Sequence, residues 1–178
     1  MKGFAFCSLW SAVVFASAAF AQQDPPKKAA SPFLVFVSAS PKGEPAVVED
    51  ILEAREELEK RLKKNKKWFR IAESAADAEI TVDVEAYWVR EERRTHDQRH
   101  VAGSANHTIQ VDTIYRHHSL RAMTRFFGSV KEMTGTQVKR GGGNSKGAAK
   151  DLADRLERHC KENYWALEEK QKARTSSN

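Results

Sequence analysis

From Ala78 to Trp88 the chain alternates with a period of two. Ala78, Ile80, Val82, Val84, Ala86 and Trp88 are apolar, with Glu79, Thr81, Asp83, Glu85 and Tyr87 between them. Successive side chains of a strand point to opposite faces, so this pattern predicts a strand with one face buried and the other wet. Phe33-Leu34-Val35-Phe36-Val37 is apolar throughout and bounded by Pro32 and Ser38, which predicts a central strand. A loop from Ser38 to Pro45 then leads into a different period. Val47, Val48, Ile51, Leu58 and Leu62 predict an amphipathic helix over Ala46 to Lys64. Its acids crowd the front half and its bases, Arg61 to Lys67, the end. That sorting favours the helix macrodipole and accounts for the basic run without a nucleic-acid or lipid patch. Trp68 to Ala72 predicts a short strand and Glu73 to Asp77 a turn.

The second half is less regular. Glu91 to Asn106 breaks the alternation with Arg, His and Gly103, and reads as an exposed excursion without regular structure. His107 to Arg116 and Leu120 to Phe127 regain strand character. The apolar parity shifts near His117-His118-Ser119, which leaves one bulged strand or two strands open. Gly128-Ser129 predicts a type II′ turn and Val130 to Thr136 the returning strand. After the joint Gly141-Gly142-Gly143-Asn144, the residues Ala148, Ala149, Leu152, Leu156, Cys160 and Leu167 predict a helix over Lys146 to Glu168, capped by Asn144 or Ser145. The tail, Lys170 to Asn178, is expected to fray. The fold class expected is α+β: a two-layer sandwich of a mostly antiparallel sheet, four to five strands, with two helices on one face.

The N-terminus changes the picture of where the protein works. Lys2, an apolar run from Phe4 to Phe20 and the A-x-A sequence Ala19-Phe20-Ala21 have the form of an export signal. The run is short and rich in Ala and Ser for a membrane span, so a periplasmic or extracellular protein without a stable anchor is expected. Removing the signal leaves 178 − 21 = 157 residues, enough for one domain over residues 33–169 behind a leader from Gln22 to Pro32. Of 30 Lys and Arg only Lys2 is lost, and 29 − 24 gives a net charge of +5. Cys7 leaves with the signal, so Cys160 is the single remaining thiol and closes no internal disulfide. Its place on the inner edge of a helix predicts a buried, inert group. Asn106-His107-Thr108 matches a glycosylation sequon.

In element order the chain resembles two small envelope domains: the N-terminal domain of the Tol-system β-propeller protein and the periplasmic domain of the curli secretion channel. Ala76-Asp77-Ala78-Glu79-Ile80 matches their Ala-Asp opening of a long strand, and Leu120 to Thr136 with Lys146 to Glu168 matches their hairpin and closing helix. The resemblance implies protein contacts in the envelope and carries over no catalytic residue.

Candidate chemistry is sparse. His96, His100 and His107 fall in or beside the excursion and suit zinc, copper or nickel by residue type, but Arg93, Arg94 and Arg99 among them repel a divalent ion. Lys139, Arg140 and Lys146 flank a glycine run before a helix, an arrangement able to hold an anion. The phosphate-loop pattern fails there, because Ser145 precedes Lys146 and Gly147 follows it. Arg121, Met123, Arg125 and Phe127 share one strand face, as Asp83, Glu85 and Tyr87 share another, so cross-strand ion pairs on an open sheet face are expected. That face lacks the Gly-aromatic motif of RNA-binding sheets, and no nucleic-acid partner is expected. Neither a G-x-S-x-G elbow nor an H-E-x-x-H motif occurs. No cofactor is implied. The expectation is a non-catalytic protein-interaction module of the envelope or secreted fraction; the alternative is a metal-binding protein or metal-dependent hydrolase using the histidines.

Overall fold

The computed structural model describes residues 24, 26–41, 44–102 and 105–176. The export signal, Cys7, the start of the leader and the last two residues of the tail lie outside the described residues. The elements are β1 (Phe33–Ala39), α1 (Pro45–Lys64), β2 (Phe69–Ile71), β3 (Ile80–Ala102), β4 (Ala105–Phe126), β5 (Ser129–Arg140), α2 (Ser145–Glu162) and α3 (Tyr164–Ser176). They form a five-stranded sheet in the order β2-β1-β3-β4-β5. β1 runs parallel to both β2 and β3, whereas β3, β4 and β5 pair antiparallel. The α+β class stands as expected, with three helices instead of two.

The core lies between the sheet and α1 with α2. Phe33, Val35 and Val37 of β1, Ile80, Val82 and Val84 of β3, and Leu120, Ala122 and Phe126 of β4 meet Ile51, Ala54, Leu58 and Leu62 of α1 and Ala148, Ala149, Leu152 and Leu156 of α2. The buried Val, Ile, Leu and Phe side chains among these each contribute about 1.5–3 kcal/mol relative to exposure. α1 begins with Pro45 in its first turn, where the missing N–H costs no hydrogen bond. α2 begins with Asn144, whose side chain accepts from the Gly147 amide at 3.1 Å. Gly135 of β5 lies against α2 so closely that a Cβ would strike the Ala148 carbonyl and Leu152.

Several expectations are corrected. The alternation of β3 does not run unbroken to Trp88. The register with β4 shifts between Val84 and Ala86, leaving Glu85 as the extra residue of a β-bulge. Parity reverses there: Tyr87 turns to the helix side at 9% exposure, and Trp88 turns outward at 44%. The bulge lies on β3 and not at His117-His118-Ser119: β4 is a single strand on which the buried His118, Leu120, Ala122, Thr124 and Phe126 keep one parity.

Glu91 to Asn106 is no irregular loop. β3 and β4 continue as a two-stranded ribbon in register as far as Ala102 opposite Ala105. With both faces in solvent the ribbon needs no apolar alternation, so the pattern that identifies half-buried strands is missing there. Cross-strand polar contacts take its place. Arg116 donates to Glu91 at 2.8 Å, His117 and Glu92 meet at 2.7 Å, and Thr95 donates to Asp112 at 2.7 Å. The Arg94 guanidinium lies 5.0 Å from the centre of the Tyr115 ring.

The β4–β5 turn is Phe127-Gly128, both with positive φ (47° and 89°), so it is of the I′ kind and set one residue earlier than expected. The last helix stops at Asn163 and restarts as α3, which runs through the segment expected to fray. Spacings of four, three and four join Cys160, Tyr164, Leu167 and Gln171 into one buried stripe across the break. The end of the leader belongs to the fold as well. Ala29 is buried and its amide donates to the Lys67 carbonyl at 3.1 Å, and the Ala30 amide donates to Tyr164 Oη at 3.0 Å.

Candidate functional site

α1 and α2 cover one face of the sheet. The opposite face carries a groove of about 960 Å³, lined by β1, β3, β4, the β4–β5 turn and the second half of α3. Its position follows from strand parity. Phe36 and Ser38 alternate with the buried residues of β1, Thr81 and Asp83 with those of β3, and Met123 and Arg125 with those of β4. Phe36, Met123, Phe127 and Val130 supply the apolar lining, and Val130 is 56% exposed. Phe127 is fixed by edge-on contact with Phe33 at 6.4 Å between ring centres.

α3 closes one end of the groove through a polar anchor. The buried Glu79 carboxylate accepts from the Leu34 amide and from Gln171 Nε2, both at 2.9 Å. Arg174 donates to the carbonyls of Ala78 and Ala76 at 2.6 and 2.7 Å. The groove's charges are unevenly paired. Asp83 accepts from the Ser38 hydroxyl at 2.9 Å, and Glu85 faces Arg121 at 3.8 Å, one of the cross-strand pairs expected from the sequence. Arg125 and Lys170 have no ion-pair partner among the described residues, and Arg174 spends its charge on carbonyls. Glu79, Asp83 and Glu85 equal Arg125, Lys170 and Arg174 in number, so the lining combines aromatic and thioether surface with charges of both signs. Tyr87, expected on this face, is not on it, because the bulge turns it inward.

The backbone register spreads the histidines along the ribbon. The register sets His100 opposite His107, whereas His96 is opposite Val111, four residues along β3. At about 3.3 Å per residue that is roughly 13 Å, too far for one ion. No group of three or more His, Cys, Asp or Glu able to hold a metal occurs among the described residues. The anion candidates part as well. Lys146 reaches Glu53 at 3.3 Å, and Lys139 and Arg140 are the last residues of β5, exposed and opposite Arg116 and Tyr115. Asn144 already accepts from the Gly147 amide at the start of α2, and the Asn144 amide donates to Gln137 Oε1 at 3.3 Å.

Sequence reasoning misses one buried polar pair. Tyr87 Oη and His118 Nδ1 are 2.5 Å apart beneath the helices, with His118 at 5% exposure. Burial, reinforced by Asp50, pushes the Tyr87 hydroxyl up to about 12, so it remains a neutral phenol. Gly143 has a positive φ and lies so close to the His118 ring that a side chain there would collide with it. His118 shares the parity of Leu120 and Ala122 on β4, but Tyr87 comes inside only through the bulge, of which the alternation offers no sign. Cys160 is fully buried as expected. Burial, then the nearby Glu157, pushes its thiol up to about 12, the opposite of nucleophile activation.

Among the described residues no helix is long and apolar enough to cross a membrane. No protein-family model matches the chain, and no curated protein matches it. Among solved structures, a PelC dodecamer from Paraburkholderia phytofirmans in space group C2 is similar at a TM-score of 0.37 and 17% identity, over 75% of this chain and 92% of that one. A PelC dodecamer from the same organism in space group P6 gives 0.35 and 17%, with the same coverage.

Proposed function

We propose that this is an exported, non-catalytic interaction module that holds a protein partner of the cell envelope or secreted fraction on its open sheet face. The observation that carries this reading is the groove itself. It is an apolar trough of Phe36, Met123, Phe127 and Val130 with Arg125 and Lys170 beside it, neither held in an ion pair among the described residues. Such a lining suits a partner segment with apolar side chains and a carboxylate, since interface cores exclude water around a few large anchors while cations set orientation. Export is supported by Lys2, the Phe4–Phe20 run and Ala19-Phe20-Ala21.

The test is capture from the exported fraction by mild crosslinking, with the unaltered protein beside Met123→Glu and Arg125→Glu variants. Both substitutions fall on the half-exposed or exposed face, so folding should persist, as circular dichroism would show. The expected result is one partner retained by the unaltered protein and lost from both variants. Equal capture by all three would remove the groove from the reading. Zinc or copper titration of the purified protein addresses the metal alternative, for which uptake tighter than micromolar is the required result.

A further inference from the structure

The ribbon of β3 and β4 presents a strand edge with unusual self-complementarity. The pairing of β1 with β3 ends at Ala39 opposite Val84, with a last bond from the Ser40 amide to the Val84 carbonyl. Beyond that point no described strand pairs with the outer edge of β3. On the other side, β5 accompanies β4 only to Tyr115. From Arg93 to Ala102 β3 is thus one rail of a two-stranded ribbon, roughly 33 Å long at about 3.3 Å per residue. A two-stranded ribbon is marginal by itself in water and gains stability from a further strand.

Natural edges are usually protected by Lys, Pro, bulges or short length. From Ala86 to Ala102 the chain has no Lys, Pro or Gly, and past the bulge the register is unbroken. The edge does carry charges, and their order matters. Residues opposite each other in an antiparallel pair share a face, so a two-fold axis between two copies of one strand passes beside a residue and its own copy. An axis at Thr95 sets Arg93 opposite Asp97 and Glu91 opposite Arg99, each twice by symmetry, with no like fixed charges opposed. Moving the axis to Arg94 sets Arg94 against itself and Glu91 against Asp97. Moving it to His96 sets Arg93 against Arg99. The outer edge of β4 holds one fixed charge between Ala105 and Ile114, Asp112, and so specifies no register. Arg93 is 70% exposed and reaches Asp112 only at 3.8 Å, which leaves it room for this pairing, whereas Glu91 already accepts from Arg116 at 2.8 Å and would share that contact.

We infer that the outer edge of β3 pairs with the same edge of a second copy of this chain, antiparallel about Thr95, joining two ribbons into one four-stranded sheet. The partner surface is distinct from the groove. Sedimentation of the purified protein over a range of concentrations tests it. The expected result is a reversible dimer that weakens as salt rises, because its register rests on exposed charges. Asp97→Arg and Arg93→Asp should each weaken it by about tenfold or more, and the double variant with both changes should recover most of the affinity. A monomer throughout, a dimer indifferent to the single reversals, or a double variant no better than the singles would overturn the inference. Circular dichroism of each variant separates loss of pairing from loss of fold.

Discussion

His159 shows how far one side chain can be read from its neighbours. Its ring packs edge-on against Phe126 at 4.6 Å, and its Nδ1 lies 3.2 Å from Lys131 Nζ and 3.1 Å from Asn163 Nδ2. Both neighbours are donors, so Nδ1 is the acceptor and the ring is neutral. Burial, then Lys131, holds its pKa below the ordinary 6.5, while Glu162 pulls the other way. A group whose pKa is depressed by folding stabilises the fold above its unfolded value and loses that contribution as pH falls through the folded one. Stability in urea should therefore decline as pH drops below 6.5, and His159→Gln should flatten that slope. Gly135 is a second such position. With Ala148 and Leu152 directly above it, Gly135→Ala should cost about 1–3 kcal/mol by denaturant unfolding. Cys160, buried with its thiol held protonated, should resist maleimide until the protein unfolds, and Cys160→Ser should cost about 1–3 kcal/mol through a poorly satisfied hydroxyl. Of these three, only the cysteine is legible in the sequence, because it continues a helical stripe. The histidine and the glycine owe their roles to neighbours far along the chain.

At the scale of elements, what sequence periodicity reveals depends on having one wet and one dry side. α1, the first part of β3 and α2 all do, β1 shows itself by its unbroken apolar run, and their places match the expectations closely. The ribbon is wet on both sides and α3 follows a polar stretch, so neither leaves a period to find. α3 stays helical because Tyr164 and Leu167 anchor its start and Gln171 reaches Glu79. Glu79→Ala removes an acceptor from both the Leu34 amide and Gln171, and should cost about 1–3 kcal/mol. Hydrogen exchange should accelerate in α3 more than in α2. The same substitution ought to loosen one end of the groove, since α3 supplies Lys170 and Arg174 to its lining. The bulge is the one feature that hides the face assignments. A single unpaired residue, Glu85, decides that Tyr87 lies inside, where it meets His118, and Trp88 outside.

For the whole molecule, the two surfaces proposed for binding have different origins. The groove is formed by layers, as strands show alternate residues to the side the large helices leave bare, and the expected cross-strand pairing of Arg121 with Glu85 is present there. The closing of that groove by α3 could not be read from the sequence, because it depends on a contact between residues 79 and 171, 92 positions apart along the chain. The ribbon is formed by length, as β3 and β4 extend past the strands that flank them. If the two surfaces act independently, Met123→Glu should leave the sedimentation behaviour untouched, and Asp97→Arg should leave partner capture by isolated copies untouched. Because β1 and β5 end before the outer half of the ribbon begins, its reach is the most freely adjustable dimension of the protein. Two residues could be added to or taken from each strand without any side chain in the interior having to move, so the distance at which this molecule meets its neighbours can drift over evolutionary time while its foundations stay put.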